Sequence, residues 1–116
     1  MDVPGAAGGL TWHFEEGPDI PSRPGARIAW LDVERLHFPL ILRPWRHGDR
    51  MRPLGLGGSK LVSDLLIDAR VPLPLKERVY VLVSGEEIVW LAGLRVAEGV
   101  VAGKDTKRVL RIAVAG

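Results

Sequence analysis

Residues 41–72 read ILRPWRHGDRMRPLGLGGSKLVSDLLIDARVP, and this stretch decides the fold. Its apolar start is a strand that ends at a basic turn. A glycine-rich loop follows, and then a short amphipathic helix. From Arg43 to Lys60, Arg43, Arg46, Arg50, Arg52 and Lys60 stand against a single acid, Asp49. The formal charge of the whole 116-residue chain is only +2, so the positive charge is concentrated here. A clustered patch of this kind is compatible with a polyanionic partner, although the overall charge does not require one.

Working outward, Ser59 stands where an N-cap would be. Leu61, Val62, Leu65, Leu66 and Ala69 then form one apolar stripe, with Asp64 and Asp68 outside it or at its rim. Pro72 disfavours helical geometry in the residue before it, so the helix stops near Arg70, and Pro74 can open one further turn over 75–78. Upstream, residues 36–42 alternate, with Leu36, Phe38, Leu40 and Leu42 on one side. Pro39, which has no amide hydrogen, puts that strand at an edge or a bulge. Residues 10–15 and 27–31 are two more strand candidates, separated by a turn segment at 20–25, and the Pro/Gly-rich residues 1–9 read as a flexible leader or a cut end of a longer protein. Downstream, residues 79–83 are apolar on both faces, as a central strand requires. A turn over 84–87 leads to the hairpin partner 88–91. A short piece at 94–96 and a closing strand at 107–114 follow, the latter with Leu110, Ile112 and Val114 inward and Val109 and Arg111 outward. Six or seven strands and one firm helix make a mostly-β, α+β domain over 10–116.

The chemistry the chain lacks is equally informative. There is no cysteine, hence no disulfide framework and no thiolate, which fits a cytosolic protein. No apolar run is long enough for a transmembrane helix, and the start lacks the pattern of a signal peptide. His13, His37 and His47 show no metal-ligand spacing, and no nucleophile elbow is present. The loop GLGGSK at 55–60 is not a Walker A motif, because Ser59 precedes Lys60. Glycine amides beside a lysine can nevertheless hold one phosphate of a polynucleotide. Arginine forks grip phosphates bidentately, and Trp45 lies among them as a stacking surface for a sugar or base, so the cluster suits RNA. Trp12, Trp30 and Trp90 are packing residues.

The run PLILRPWRHGDRMRPLGLGGSKLVSDLLIDARVP at 39–72, then ERVYVLVSGEEIVWLAGLRV at 77–96 and DTKRVLRI at 105–112, together resemble the C-terminal domain of bacterial tRNA(Ile)-lysidine synthetases. The family pattern falls on Arg43, Arg46, Gly48, Asp49, Arg50, Pro53, Gly55, Gly58, Lys60, Asp64, Ile67, Asp68 and Pro72. It continues through Gly85, Glu87, Ile88, Trp90, Thr106 and Lys107. The likeness covers about 36–112 and departs at Leu61, where the family often has a second lysine. It implies a three-layer, β-sandwich-containing domain of the kind shared with the phenylalanyl-tRNA synthetase β subunit, with one firm and one short helix. It further implies a non-catalytic domain that holds the isoleucine tRNA on its acceptor-stem side and packs on the remaining domains of the synthetase. A separate ATP-pyrophosphatase domain, absent here, would use ATP and Mg to attach lysine to the wobble cytidine. The RNA-binding candidates are Arg43, Arg46, Arg50, Arg52, Lys60 and Lys107, with no catalytic residue, metal or cofactor of the domain's own. The alternative is a structural docking module whose arginines pair with acids of neighbouring domains.

Overall fold

The computed structural model describes residues 5–7, 10–16 and 27–114. Two sheets are built from ten strands among these residues: β1 (Gly5–Ala7), β2 (Leu10–Glu16), β3 (Ile28–Asp32), β4 (Leu40–Pro44), β5 (Arg50–Met51), β6 (Lys60–Leu61), β7 (Tyr80–Ser84), β8 (Glu87–Leu91), β9 (Arg95–Val96) and β10 (Arg108–Val114). Helix α1 spans Val62–Asp68 and α2 spans Leu73–Lys76. The mostly-β, α+β class read from the sequence is the class observed. The larger strand number comes from pieces of two or three residues, too short to carry a period-2 signal. One of these, β1, lies within the expected leader and pairs with β2 through main-chain bonds. The rest of the leader and the expected turn at 20–25 lie outside the described residues.

The first sheet has the order β1-β2-β10-β3, so the closing strand is interior, antiparallel to both β2 and β3. The second has the order β4-β7-β8-β5-β6, with β9 also on β8. Four consecutive residues of β8, Ile88 to Leu91, are buried. A strand buried at every position must be covered on both faces. The cover comes from the four-stranded sheet (Ala29, Leu31, Leu110, Ile112) and from α1 (Val62, Leu65, Leu66), which share one hydrophobic cluster with β7 and β8. The result is three layers around Trp90. The segment 100–102 links the sheets along β3, through Asp32 N–H to Val100 C=O at 2.8 Å and Ala102 N–H to Trp30 C=O at 2.8 Å. At the turn after β8, Gly93 has φ +77 and a Cβ there would lie 3.1 Å from Val114, so only glycine fits without displacement.

Several details differ from the sequence reading. Ser59 is not an N-cap. Residues 60–61 pair with β5, so the helix starts at Val62 with Leu61 as its cap, and the Ser59 hydroxyl instead accepts from Arg50 Nε at 3.0 Å. Ala69 lies beyond the last helical residue and is exposed. There Arg70 takes a positive φ of 56, its N–H bonds to Ile67 C=O, and Val71 N–H reaches Leu66 C=O. These two bonds are those of a Schellman terminus, with arginine in the place usually held by glycine.

Residues 36–39 are not strand. Pairing begins at Leu40, where β4 forms the sheet edge that Pro39 suggested, while Leu36 is buried and Phe38 is 48% exposed. Val109, expected outward, is fully buried; segment 100–106 runs along the neighbouring β3, tied down by the Thr106 hydroxyl on Asp32 Oδ2 at 3.1 Å. The second helical turn spans Leu73–Lys76 rather than 75–78. Ser84 belongs to β7 and is buried; its hydroxyl accepts the His37 N–H at 2.8 Å, which anchors the lead into β4.

Candidate nucleic-acid interface

Edge strand β4 delivers the chain into a turn over 45–49 that folds around one carboxylate. Arg43 donates from both terminal nitrogens to the two oxygens of Asp49, at 2.9 Å each, and the Arg46 N–H reaches Asp49 Oδ2 at 2.7 Å. The Asp49 N–H closes the turn on Arg46 C=O at 3.1 Å, with Gly48 at φ +93. From Asp49 C=O a 2.9 Å bond runs to Val62 N–H, so the start of α1 is fastened to the same turn.

The Arg43–Asp49 pair is mostly shielded, with side-chain exposures of 21% and 13%. The Arg43 guanidinium, helped by the Arg46 N–H, holds the Asp49 carboxyl below the usual aspartate range, and Asp49 in turn raises Arg43. A depressed folded pKa stabilises the fold above the unfolded pKa, and that contribution disappears as pH falls through the folded value. Wild type minus Asp49→Asn stability should therefore be largest above about pH 5 and shrink on acidification below about pH 4. Urea midpoints of both proteins across that range measure it. A constant difference would show that the Asp49 charge does not hold the turn.

Among the six candidates, the structure gathers five around this turn and gives them different roles. Arg43 is committed to Asp49. Arg50 is exposed and holds Ser59. Lys60 pairs with Asp68, one α-helical stripe away. Arg46 and Arg52 are exposed, and neither side chain is in an ion pair or side-chain hydrogen bond among the described residues. Lys107 is exposed but sits one residue before β10, in the other sheet. Its neighbour Thr106 has a structural role, closing the 103–106 turn by accepting from Gly103 N–H at 2.8 Å.

Trp45 is half-buried against the core, and its indole Nε1–H donates to Lys76 C=O at 2.7 Å. Its ring meets His47 edge-on at 4.8 Å. Trp45 thus positions the backbone rather than standing free as a stacking surface. Its N–H also reaches Val79 C=O at 3.1 Å, which brings Lys76 and exposed Arg78 beside the basic turn. The sequence reading missed both. No sequence pattern marked them; the β4/β7 register, which pairs Leu42 with Leu82 and Pro44 with Tyr80, puts them there.

On the other flank, Arg50 and Arg52 line a shallow cleft with Met51, Ser59, Ile88 and Ala97, whose rim also carries Glu86, Glu87 and Glu98. Among the described residues no group of three His, Asp or Glu could hold a metal ion, and no helix is long and apolar enough to cross a membrane.

Residues 40–113 match the family model described as the TilS substrate C-terminal domain. The chain belongs to this family. It is 35% identical over 119 residues to a tRNA(Ile)-lysidine synthase of Geobacter sulfurreducens, covering 97% of this chain and 25% of that protein. A Parabacteroides distasonis tRNA(Ile)-lysidine synthase is 42% identical over 92 residues, or 79% of this chain and 21% of the relative. The chain therefore spans about a quarter of the length of the curated relatives it matches. Among solved structures, a TilS C-terminal domain superposes with TM-score 0.76 at 25% identity, covering 91% of this chain and 83% of that one. An N-terminal fragment of the phenylalanyl-tRNA synthetase β subunit from Pyrococcus horikoshii gives 0.71 at 15% identity, covering 89% of this chain and 38% of that one. At that identity the likeness concerns the fold alone. For this TilS-type C-terminal domain, the Arg43–Asp49 turn and the α1 start are the structural expression of the arginine, Gly-Asp and Gly-x-Lys pattern.

Proposed function

We propose that this chain is the tRNA-holding domain of a tRNA(Ile)-lysidine synthase, working in the cytoplasm. It grips the acceptor-stem side of the isoleucine tRNA, while a separate catalytic domain, with its own ATP and Mg, ligates lysine to the wobble cytidine. The domain itself supplies no catalytic residue and needs no cofactor. The observation that carries this reading is the exposed Arg46, presented by a turn whose backbone is locked by Asp49, in a chain of this family. An arginine held on a rigid turn loses little freedom when it meets a phosphate, so binding is less offset by ordering.

The test is fluorescence anisotropy of isoleucine tRNA with this chain over a salt series. Binding should weaken steeply with salt, and Arg46→Glu should weaken it further. The slope of log affinity against log salt should become shallower by roughly 0.7–0.9 for the lost contact. Sequence preference should barely change, because phosphate contacts position the RNA without reading it. Salt-insensitive binding, or Arg46→Glu binding like wild type, would sink this reading.

One observation favours the docking alternative: Ile67, Leu73 and Leu75 are 60%, 77% and 51% exposed on the two helices. An apolar surface of this kind suits packing on another protein domain.

A further inference from the structure

We infer that the phosphate-binding surface extends from Arg46 across the β4/β7 edge to Arg78 and Lys76, and stops short of the cleft that holds Arg52. The inference rests on the RNA-holding role proposed above and assigns its footprint. The Trp45 N–H to Val79 C=O bond continues the pairing one step past Pro44 and Tyr80, and the next residues along the two backbones are Arg46 and Arg78. Both residues lie just outside the strands, Arg46 in the connection after β4 and Arg78 in the turn after α2, so the two cations share one end of the sheet. Asp49, the acid of the turn, is held bidentately by Arg43, and the Arg46 guanidinium acts on it only through space, outside ion-pair distance. Neither Arg46 nor Arg78 is in an ion pair or side-chain hydrogen bond among the described residues, and both are exposed. A phosphate backbone passing this end of the sheet can be met by both guanidiniums. Lys76 adds a third cation, two residues from Arg78, and its backbone is fixed by the 2.7 Å bond from the Trp45 indole. The only acid within 76–79 is exposed Glu77.

The opposite flank has the reverse balance. Arg50 and Arg52 share their cleft with Glu86, Glu87 and Glu98, so carboxylates outnumber guanidiniums where a phosphate backbone would have to pass. Those acids repel the polyanion and confine it to the α2 side.

The test uses this chain, isoleucine tRNA and a salt series, with Arg46→Glu as the reference variant and thermal melts on every variant. Arg78→Glu should weaken binding by about tenfold and, like Lys76→Glu, make the salt slope shallower by roughly 0.7–0.9. Arg52→Glu should stay within about twofold of wild type, since local acids already offset its charge. Should Arg78→Glu melt early, Arg78→Gln replaces it and must still flatten the slope. If Arg46→Glu weakens binding while the Arg78 and Lys76 variants do not, the extended surface is wrong and the RNA-holding role stands. Loss of affinity in Arg52→Glu equal to that in Arg78→Glu overturns the one-sided footprint. If Arg46→Glu is itself without effect, both readings fall.

Discussion

Trp90→Ala should lower the unfolding free energy by about 3–5 kcal/mol, the range for truncating a buried aromatic to alanine. Trp90 is fully buried, at the centre of the three layers, and pairs with Leu82 on one side and Val96 on the other. Its removal opens a void that three elements cannot all close, so the lost transfer energy and the cavity add. For a single domain with a total stability of about 5–15 kcal/mol, such a loss is about a fifth of the whole or more. Trp90→Phe should retain a large part of that stability, because most of the buried ring surface is kept. Urea denaturation followed by far-UV circular dichroism measures both variants. A Trp90→Ala midpoint equal to wild type would mean that the core is not organised around this side chain.

Leu66→Ala and Leu65→Ala should each cost about 2–5 kcal/mol, as buried leucine truncations do. Leu66 is fully buried and Leu65 is 2% exposed, whereas Ile67, the next residue, is 60% exposed. Ile67→Ala should therefore change stability by no more than about 0.5 kcal/mol. The contrast between adjacent residues tests the orientation of α1 rather than its existence. It bears on the candidate interface too, because Val62 N–H is bonded to Asp49 C=O. A helix that pulls away from the core pulls on the arginine turn. In the leucine variants, loss of tRNA affinity at temperatures where the protein remains folded would reveal that coupling in solution. Equal melting of the Leu66, Leu65 and Ile67 variants would refute the buried stripe.

Local pattern sufficed wherever local pattern was the cause. The apolar run of β7 and the hairpin return of β8 were legible because both strands are buried on both faces and need no alternation. The apolar stripe of α1 was legible in Val62, Leu65 and Leu66, which keep helical spacing, although its outer members Leu61 and Ala69 fall outside the helix. The clustering of positive charge in 43–60 was plain from the sequence, as was the edge position of β4 from Pro39. The motif of the family was readable residue by residue, and with it the fold class.

What the tertiary structure decided is pairing. Ser59 has the chemistry of an N-cap, yet two residues of cross-strand pairing to β5 delay the helix, and Arg50 takes its hydroxyl. Val109 alternates outward in the sequence, yet it is fully buried in the fold. Six basic candidates look alike in one dimension. In three, Arg43 is engaged by Asp49 and Lys60 by Asp68, while Lys107 lies just before β10 of the other sheet. Lys76 and Arg78, some thirty residues beyond the turn, come beside it through two bonds from Trp45. Sequence fixes which residues carry charge and which avoid water, because those are properties of single side chains and their spacing. Which charge is neutralised by which partner depends on distances between strands, and those exist only once the sheet has formed.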